Sequence, residues 1–264
     1  MNSIPFRCIW CLRQGPGVTF NVSHVLPECA GIQGHELPPG FVCEGCNSYF
    51  GQKVEPVLLD DPLFHTIAVF LSLVDPDDMN VFRNRIFDAA HRPAQPPLRD
   101  LKLDVDLQNH KLGVHVAYTI KGKLEKEYSK KDLAFLSRAI HKIAFEPLAW
   151  NTFVSAAKPT VDLFSTDFDP VRHWAREGQP HGSVRAVLRK PNPTISTNYS
   201  IRCWTFGKVV GIELMLFADW YGVSLTSTPD QALSDLVGWI GPKADAKTWC
   251  ITEEICAIRN VEHD

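Results

Sequence analysis

The sequence predicts an α+β protein in two parts, a small cysteine-bound N-terminal module and a larger C-terminal α+β domain with a mainly antiparallel sheet. Three observations predict it. Two C-x-x-C pairs, Cys8-Ile9-Trp10-Cys11 and Cys43-Glu44-Gly45-Cys46, fall within the first 46 residues. Apolar and polar residues alternate with period two over 101–118, and a long helical stripe followed by strand-like segments comes after it. With 264 residues, 45% of them hydrophobic, the chain has the apolar material for a real core. That composition excludes a disordered tail, a collagenous protein and a membrane bundle.

The parts divide as a module over 1–60, a helical connector over 61–92 and the α+β domain over 93–264. In the connector, Asp60-Asp61-Pro62 opens a short apolar helix through Leu73, and Asp75-Pro76-Asp77-Asp78 opens a second to about Ala90. Pro93, Pro96 and Pro97 then end it, because proline cannot continue a helix. Leu101, Leu103, Val105 and Leu107, then Leu112, Val114, Val116 and Tyr118, form two strands of a hairpin turning at Asn109-His110. Ser129 is placed to cap a helix over 130–150 whose buried stripe is Leu133, Leu136, Ile140, Ile143 and Ala144. A shorter helix over 170–177 closes at Gly178. Strands are expected over 184–188, 199–206, 209–217 and 221–225, a helix over 229–240, and a last strand over 249–251. The apolar stretch 64–74 is interrupted by His65 and is shorter than the ~18 residues of a membrane span. The first residues lack a charged leader and apolar run, so a cytoplasmic location without membrane association is expected.

Charge is uneven along the chain. Residues 83–142 hold 13 Lys/Arg and seven Asp/Glu, whereas 1–82 hold three Lys/Arg and nine Asp/Glu. A positive middle suits a polyanion, since neutralised phosphates release counterions. However, Lys121, Lys123, Lys126, Lys130 and Lys131 are interleaved with Glu125, Glu127 and Asp132, the pattern of a solvated surface, and that reading is preferred.

Of eight cysteines, Cys29, Cys203, Cys250 and Cys256 are scattered, while the other four form the two pairs, separated by 31 residues. A structural Zn2+ site needs four soft, deprotonated ligands in a tetrahedron, and each C-x-x-C turn offers two. Cys8, Cys11, Cys43 and Cys46 are therefore expected to bind structural Zn2+.

Between and beside these pairs lie Ser23-His24-Val25-Leu26-Pro27-Glu28 and, directly after the last cysteine, Asn47-Ser48-Tyr49-Phe50-Gly51. In order and approximate spacing, Cys8–Cys11, Ser23-His24 and Cys43–Cys46-Asn47 resemble the zinc-stapled HNH endonucleases of the ββα-metal superfamily. The resemblance covers residues 6–56, about a fifth of the chain. It implies a ββα-metal, treble-clef-like module that hydrolyses phosphodiester bonds of DNA. In it His24 is the catalytic base, and Asn47 with Ser23 holds a catalytic Mg2+ or Mn2+ apart from the zinc. The family carries an acid before the histidine where this chain has Ser23, a weaker ligand for a hard cation than a carboxylate. Either Glu28, Glu55 or another carboxylate then supplies the charge, or metal affinity is low, or the site has lost catalysis.

The chemistry agrees with that role. Neutral imidazole, with an ordinary pKa near 6.5, is a natural base at pH 7. Competing readings are a hydrogen-bonded loop histidine for His24 and a helix cap for Asn47. His35 reads as exposed, His141 as a residue at the boundary of the long helix, and Trp10 as packing over the module. A second functional reading is a non-catalytic zinc module that binds nucleic acid or a protein partner. DNA is the expected partner, with RNA open; the C-terminal domain is free to mediate homo-oligomers or to hold a regulatory partner or small molecule.

Overall fold

The computed structural model describes residues 6–26, 36–60, 102–110, 113–121, 129–153, 161–178, 185–191, 194–195, 199–216, 219–240, 249–251 and 256–257. The expected connector helices over 61–92, and Glu28 and His35, lie outside the described residues. Mixed helix and antiparallel sheet is the observed class, as the alternating patterns predict.

At the N-terminal end the chain turns back on itself around the first cysteine pair. Arg7 bridges to Gln14, the Cys8 N–H donates to the Arg13 carbonyl at 2.9 Å, and the Leu12 N–H donates to the Cys8 carbonyl at 2.9 Å. Leu12 takes φ +60°, a left-handed conformation that a side chain disfavours. Strand β1 (Phe20–His24) pairs antiparallel with β2 (Glu36–Cys43), with a register irregularity between Asn21 and Ser23. Helix α1 (Glu44–Tyr49) starts at once from Cys43 and continues through a wider turn, Phe50–Val54, into α2 (Pro56–Asp60). The Ile9 N–H donates to the Phe41 carbonyl at 2.9 Å, tying the first turn to β2.

Strands β3 (Lys102–His110) and β4 (Gly113–Lys121) pair over their whole length, from Lys102 with Lys121 to His110 with Gly113. Asn109 and His110, where the sequence suggests the turn, therefore still belong to the ladder. Helix α3 (Lys130–Phe153) begins with a reciprocal cap: Ser129 Oγ accepts the Asp132 N–H at 3.1 Å, and Asp132 Oδ2 accepts the Ser129 N–H at 3.3 Å. Beyond Leu133 almost the whole circumference of α3 is buried, not a stripe alone. The expectation that His141 sits at a boundary is corrected, because it is fully buried. The physical reason is position: α3 lies between the N-terminal unit and the large sheet, and a helix covered on both sides has no solvent face.

Helix α4 (Asp169–Arg172) and its wide last turn, His173–Glu177, end at Gly178, whose φ of +70° suits glycine. The remaining strands are β5 (Val187–Pro191), β6 (Thr194–Ile195), β7 (Tyr199–Phe206), β8 (Val209–Leu216), β9 (Asp219–Ser224), β10 (Trp249–Ile251) and β11 (Cys256–Ala257). A six-stranded sheet runs in the order β11-β10-β5-β9-β8-β7, every neighbour antiparallel, and β6 joins β3 and β4 in a three-stranded sheet. Strand β5 starts three residues later than expected, and Arg185 precedes it with its buried side chain bonded to the Ser224 carbonyl.

Both faces of the large sheet are covered. On one, Ile212, Leu214, Leu216, Tyr221 and Val223 pack in the core shared with α3. On the other, helix α5 (Pro229–Ile240) packs with Ala232 and Leu236 against Ala186, Leu188 and Trp204. There Trp204 and Trp239 stack with centroids 4.2 Å apart. Gly211 makes the stack feasible, because a Cβ at that position would lie 2.1 Å from the Trp204 ring. A single hydrophobic core extends from Cys8, Ile9 and Trp10 through α3 to Leu225. No helix of the described residues is long and apolar enough to cross a membrane.

Candidate functional site

The two cysteine pairs converge. The sulfurs of Cys8, Cys11, Cys43 and Cys46 all lie within 4.8 Å of one another, and Cys11 Sγ is 3.6 Å from Cys43 Sγ. A tetrahedral ion with Zn–S bonds of about 2.3 Å holds its sulfurs roughly 3.8 Å apart. The donor chemistry and spacing thus fit zinc, and these four residues could hold it. Hydrogen bonds from the Cys46 and Cys8 side chains lower the Cys11 pKa, whereas the bond to Cys11 pushes Cys8 up to about 12 and raises Cys46 as well. Four thiolates at this separation need a positive ion among them. Among the described residues this is the one group of His, Cys, Asp and Glu side chains close enough to hold a metal.

The hairpin and helix bring the other predicted residues to one side of that cluster. His24 ends β1 with its side chain 39% exposed, and its Nδ1 lies 3.6 Å from Glu36 Oε1 on β2. Ser23 points the other way and is fully buried. Its hydroxyl is 3.1 Å from Asn47 Oδ1 and 3.2 Å from Glu146 Oε2. Asn47 donates both amide hydrogens back to the strand, to Asn21 Oδ1 at 3.2 Å and to the Val22 carbonyl at 3.0 Å. The residue after the last cysteine therefore clips α1 to β1 across the bulge.

Beneath this clip lies a buried ionic network to which α3 contributes both Lys142 and Glu146. The Lys142 ammonium donates to Glu55 Oε1 at 2.8 Å, to Glu146 Oε2 at 3.0 Å and to the carbonyl of His24 at 2.6 Å. All three ammonium hydrogens are used. Burial works against the charge of Lys142, but the Glu146 and Glu55 carboxylates outweigh it and raise its pKa. Burial likewise raises Glu146, against the pull of Lys142 and of the Trp10 indole, which donates to Glu146 Oε1 at 3.0 Å. Trp10 itself packs on Phe50 and Phe145, so it belongs to the core, as expected.

Two arginines complete the seam. Arg172 Nε donates to the Ile9 carbonyl at 2.8 Å, inside the first cysteine turn, and Arg138 Nη2 donates to Tyr49 Oη at 2.6 Å. Sequence reasoning named Glu55 as a possible source of charge but missed Lys142, Glu146, Arg138 and Arg172. A signal was present for two of them: Lys142 and Glu146 stand four residues apart inside the apolar run of α3, where unpaired charges are costly.

As a site for a divalent cation, Ser23 and Asn47 supply neutral oxygens only. The nearest carboxylate, Glu146, is engaged by Lys142 and Trp10. No protein-family model, no characterised protein and no solved structure matches the chain.

Proposed function

We propose that the chain is an HNH-type endonuclease that hydrolyses phosphodiester bonds of DNA, with the cysteine cluster as a structural zinc site in a treble-clef-like ββα-metal module. One observation carries the reading. His24 stands accessible at the end of β1, 3.6 Å from a carboxylate, while the adjacent Ser23 is bonded to the Asn47 that follows the last cysteine. In this role the Glu36 carboxylate orients the imidazole and stabilises the imidazolium formed when His24 takes a proton from the attacking water. Asn47 Oδ1 would help to hold Mg2+ or Mn2+ beside the scissile phosphate, and the buried Ser23 hydroxyl, bonded to that oxygen, would position it instead of reaching the ion. When bound, that ion supplies positive charge against the charge growing on the phosphate and leaving oxygen. Asn47 also keeps the strand that bears His24 fixed to α1.

The test is plasmid cleavage by zinc-quantified protein in Mg2+, Mn2+ or EDTA, comparing wild type with His24→Ala. Nicking or linearisation that needs both the added ion and His24 supports the proposal. A folded, zinc-loaded protein that binds DNA without cutting it supports a second reading, a non-catalytic zinc module. That reading is favoured by the neutral Ser23 and by Lys142, which already answers the charge of Glu146.

A further inference from the structure

A lysine from α3 reaches the strand that carries the candidate base. Lys142 lies 118 residues from His24 in sequence, yet its ammonium is 2.6 Å from the His24 carbonyl. Its side chain is 2% exposed and its two carboxylate partners, Glu55 and Glu146, are 16% and 0% exposed. Hydrogen bonds made by a buried ammonium are strong and directional, and losing the donor would leave the His24 carbonyl without this partner. Glu55 comes from the end of the wide turn after α1, Glu146 from α3, and the carbonyl from the last residue of β1. The ammonium thus joins three elements at one point, directly behind an imidazole that faces outward.

From this geometry we infer that Lys142 is a positioning residue for His24. Its ammonium fixes the peptide that closes β1, Glu55 and Glu146 fix the ammonium, and the imidazole is presented in one orientation only when α3 is docked. Strand β1 is also held by its pairing with β2 through His24 and Glu36 and by the Asn47 bond to the Val22 carbonyl, and the Lys142 ammonium adds a charged donor at its last peptide. The consequence for catalysis rests on the nuclease proposal above, whereas the consequence for the His24 side chain does not. Displacing a catalytic group by about 1 Å can cost a hundredfold in rate, so the expected loss is in turnover and not in DNA affinity.

The experiment uses the full-length, zinc-loaded protein as wild type, Lys142→Met, Lys142→Arg and, as a surface control, Lys131→Met. Two readouts are taken: the imidazole resonances of His24 in histidine-labelled protein, assigned with His24→Gln, and the kcat and KM of plasmid cleavage. Lys142→Met is expected to shift and broaden the His24 resonances and to lower kcat about ten- to a hundredfold with KM within about twofold. Lys142→Arg should restore part of both, and Lys131→Met should leave both unchanged. If Lys142→Met does not fold, the charge-relieved pair Lys142→Met with Glu146→Gln takes its place with the same expectations. Unchanged His24 resonances in the folded, zinc-loaded variant overturn the inference, even where kcat falls, because the lysine then acts elsewhere. If the wild type itself cuts no DNA, the nuclease proposal fails and the His24 resonances alone decide the role of Lys142.

Discussion

The two sides of α3 bury charge in different ways. Towards the hairpin, Lys142 is surrounded by Glu55, Glu146 and a carbonyl, with every ammonium hydrogen bonded. Towards the large sheet, Arg185 meets no carboxylate within ion-pair distance among the described residues. Its Nε donates to His141 Nε2 at 3.0 Å and its Nη2 to the Ser224 carbonyl at 3.0 Å, while Nη1 has no partner among the described residues. Asp235 acts on it only from a distance, through Ser227 and Ser224, and burial pushes the guanidinium down to about 9. Burial, followed by the Arg185 charge, also holds His141 well below the ordinary histidine range, so the imidazole is neutral and accepts the arginine. One side is an ion-paired lock between distant segments, and the other is a cation carried by neutral acceptors.

This contrast orders the expected effects of perturbation. Stripping zinc from the zinc-loaded protein is expected to be the most severe. Structural zinc contributes on the order of 10 kcal/mol to folding in isolated zinc modules, and here the cysteines open into the same core as α3. A chelator strong enough to strip zinc should abolish the folded hairpin and any cleavage, and a circular-dichroism melt with and without chelator checks it.

Next comes Lys142→Met. The buried Glu146 and the half-buried Glu55 carboxylates would be left without their cation, a loss of about 3–5 kcal/mol in urea denaturation. Arg185→Met should cost less, about 1–3 kcal/mol, because it leaves His141 Nε2 and the Ser224 carbonyl unpaired but strands no charge. The reverse order would break the comparison.

A third effect concerns pH. The folded pKa of His141 is depressed, so below about pH 6.5 the unfolded chain takes up a proton that the folded chain does not. Its contribution is complete above that pH and falls by about 1.4 kcal/mol per unit as pH decreases. Urea denaturation between pH 5.5 and 7 should show that slope in wild type and a slope smaller by one proton in His141→Gln. The smallest effect is at Leu12, where relief of the left-handed backbone by Leu12→Gly should add up to about 1 kcal/mol. Thermal melting checks it.

Much of the architecture could be read from local pattern. The sequence placed a strand over 199–206 and a helix over 229–240, as observed, because apolar spacing and the turn at Gly207 mark them without reference to the rest of the fold. Cysteine spacing likewise foretold the cluster, since each pair is a local turn and only the meeting of the two is long-range. The ionic seam was not legible. Trp10 and Glu146 are 136 residues apart, and Arg172 and Ile9 are 163 apart, so nothing near either partner announces the other. His141 was misjudged for the same reason: a single helix face cannot reveal that a second layer covers it.

The cysteine-bearing hairpin and the six-stranded sheet share α3 and one core, so that the candidate site is part of the whole fold. The most direct measurement is a urea titration of the zinc-loaded protein that follows zinc release, with a colorimetric chelator, alongside far-ultraviolet circular dichroism. One core predicts a single midpoint for both signals. Zinc release at clearly lower urea, with the sheet still folded, would contradict it and make the hairpin a separable module.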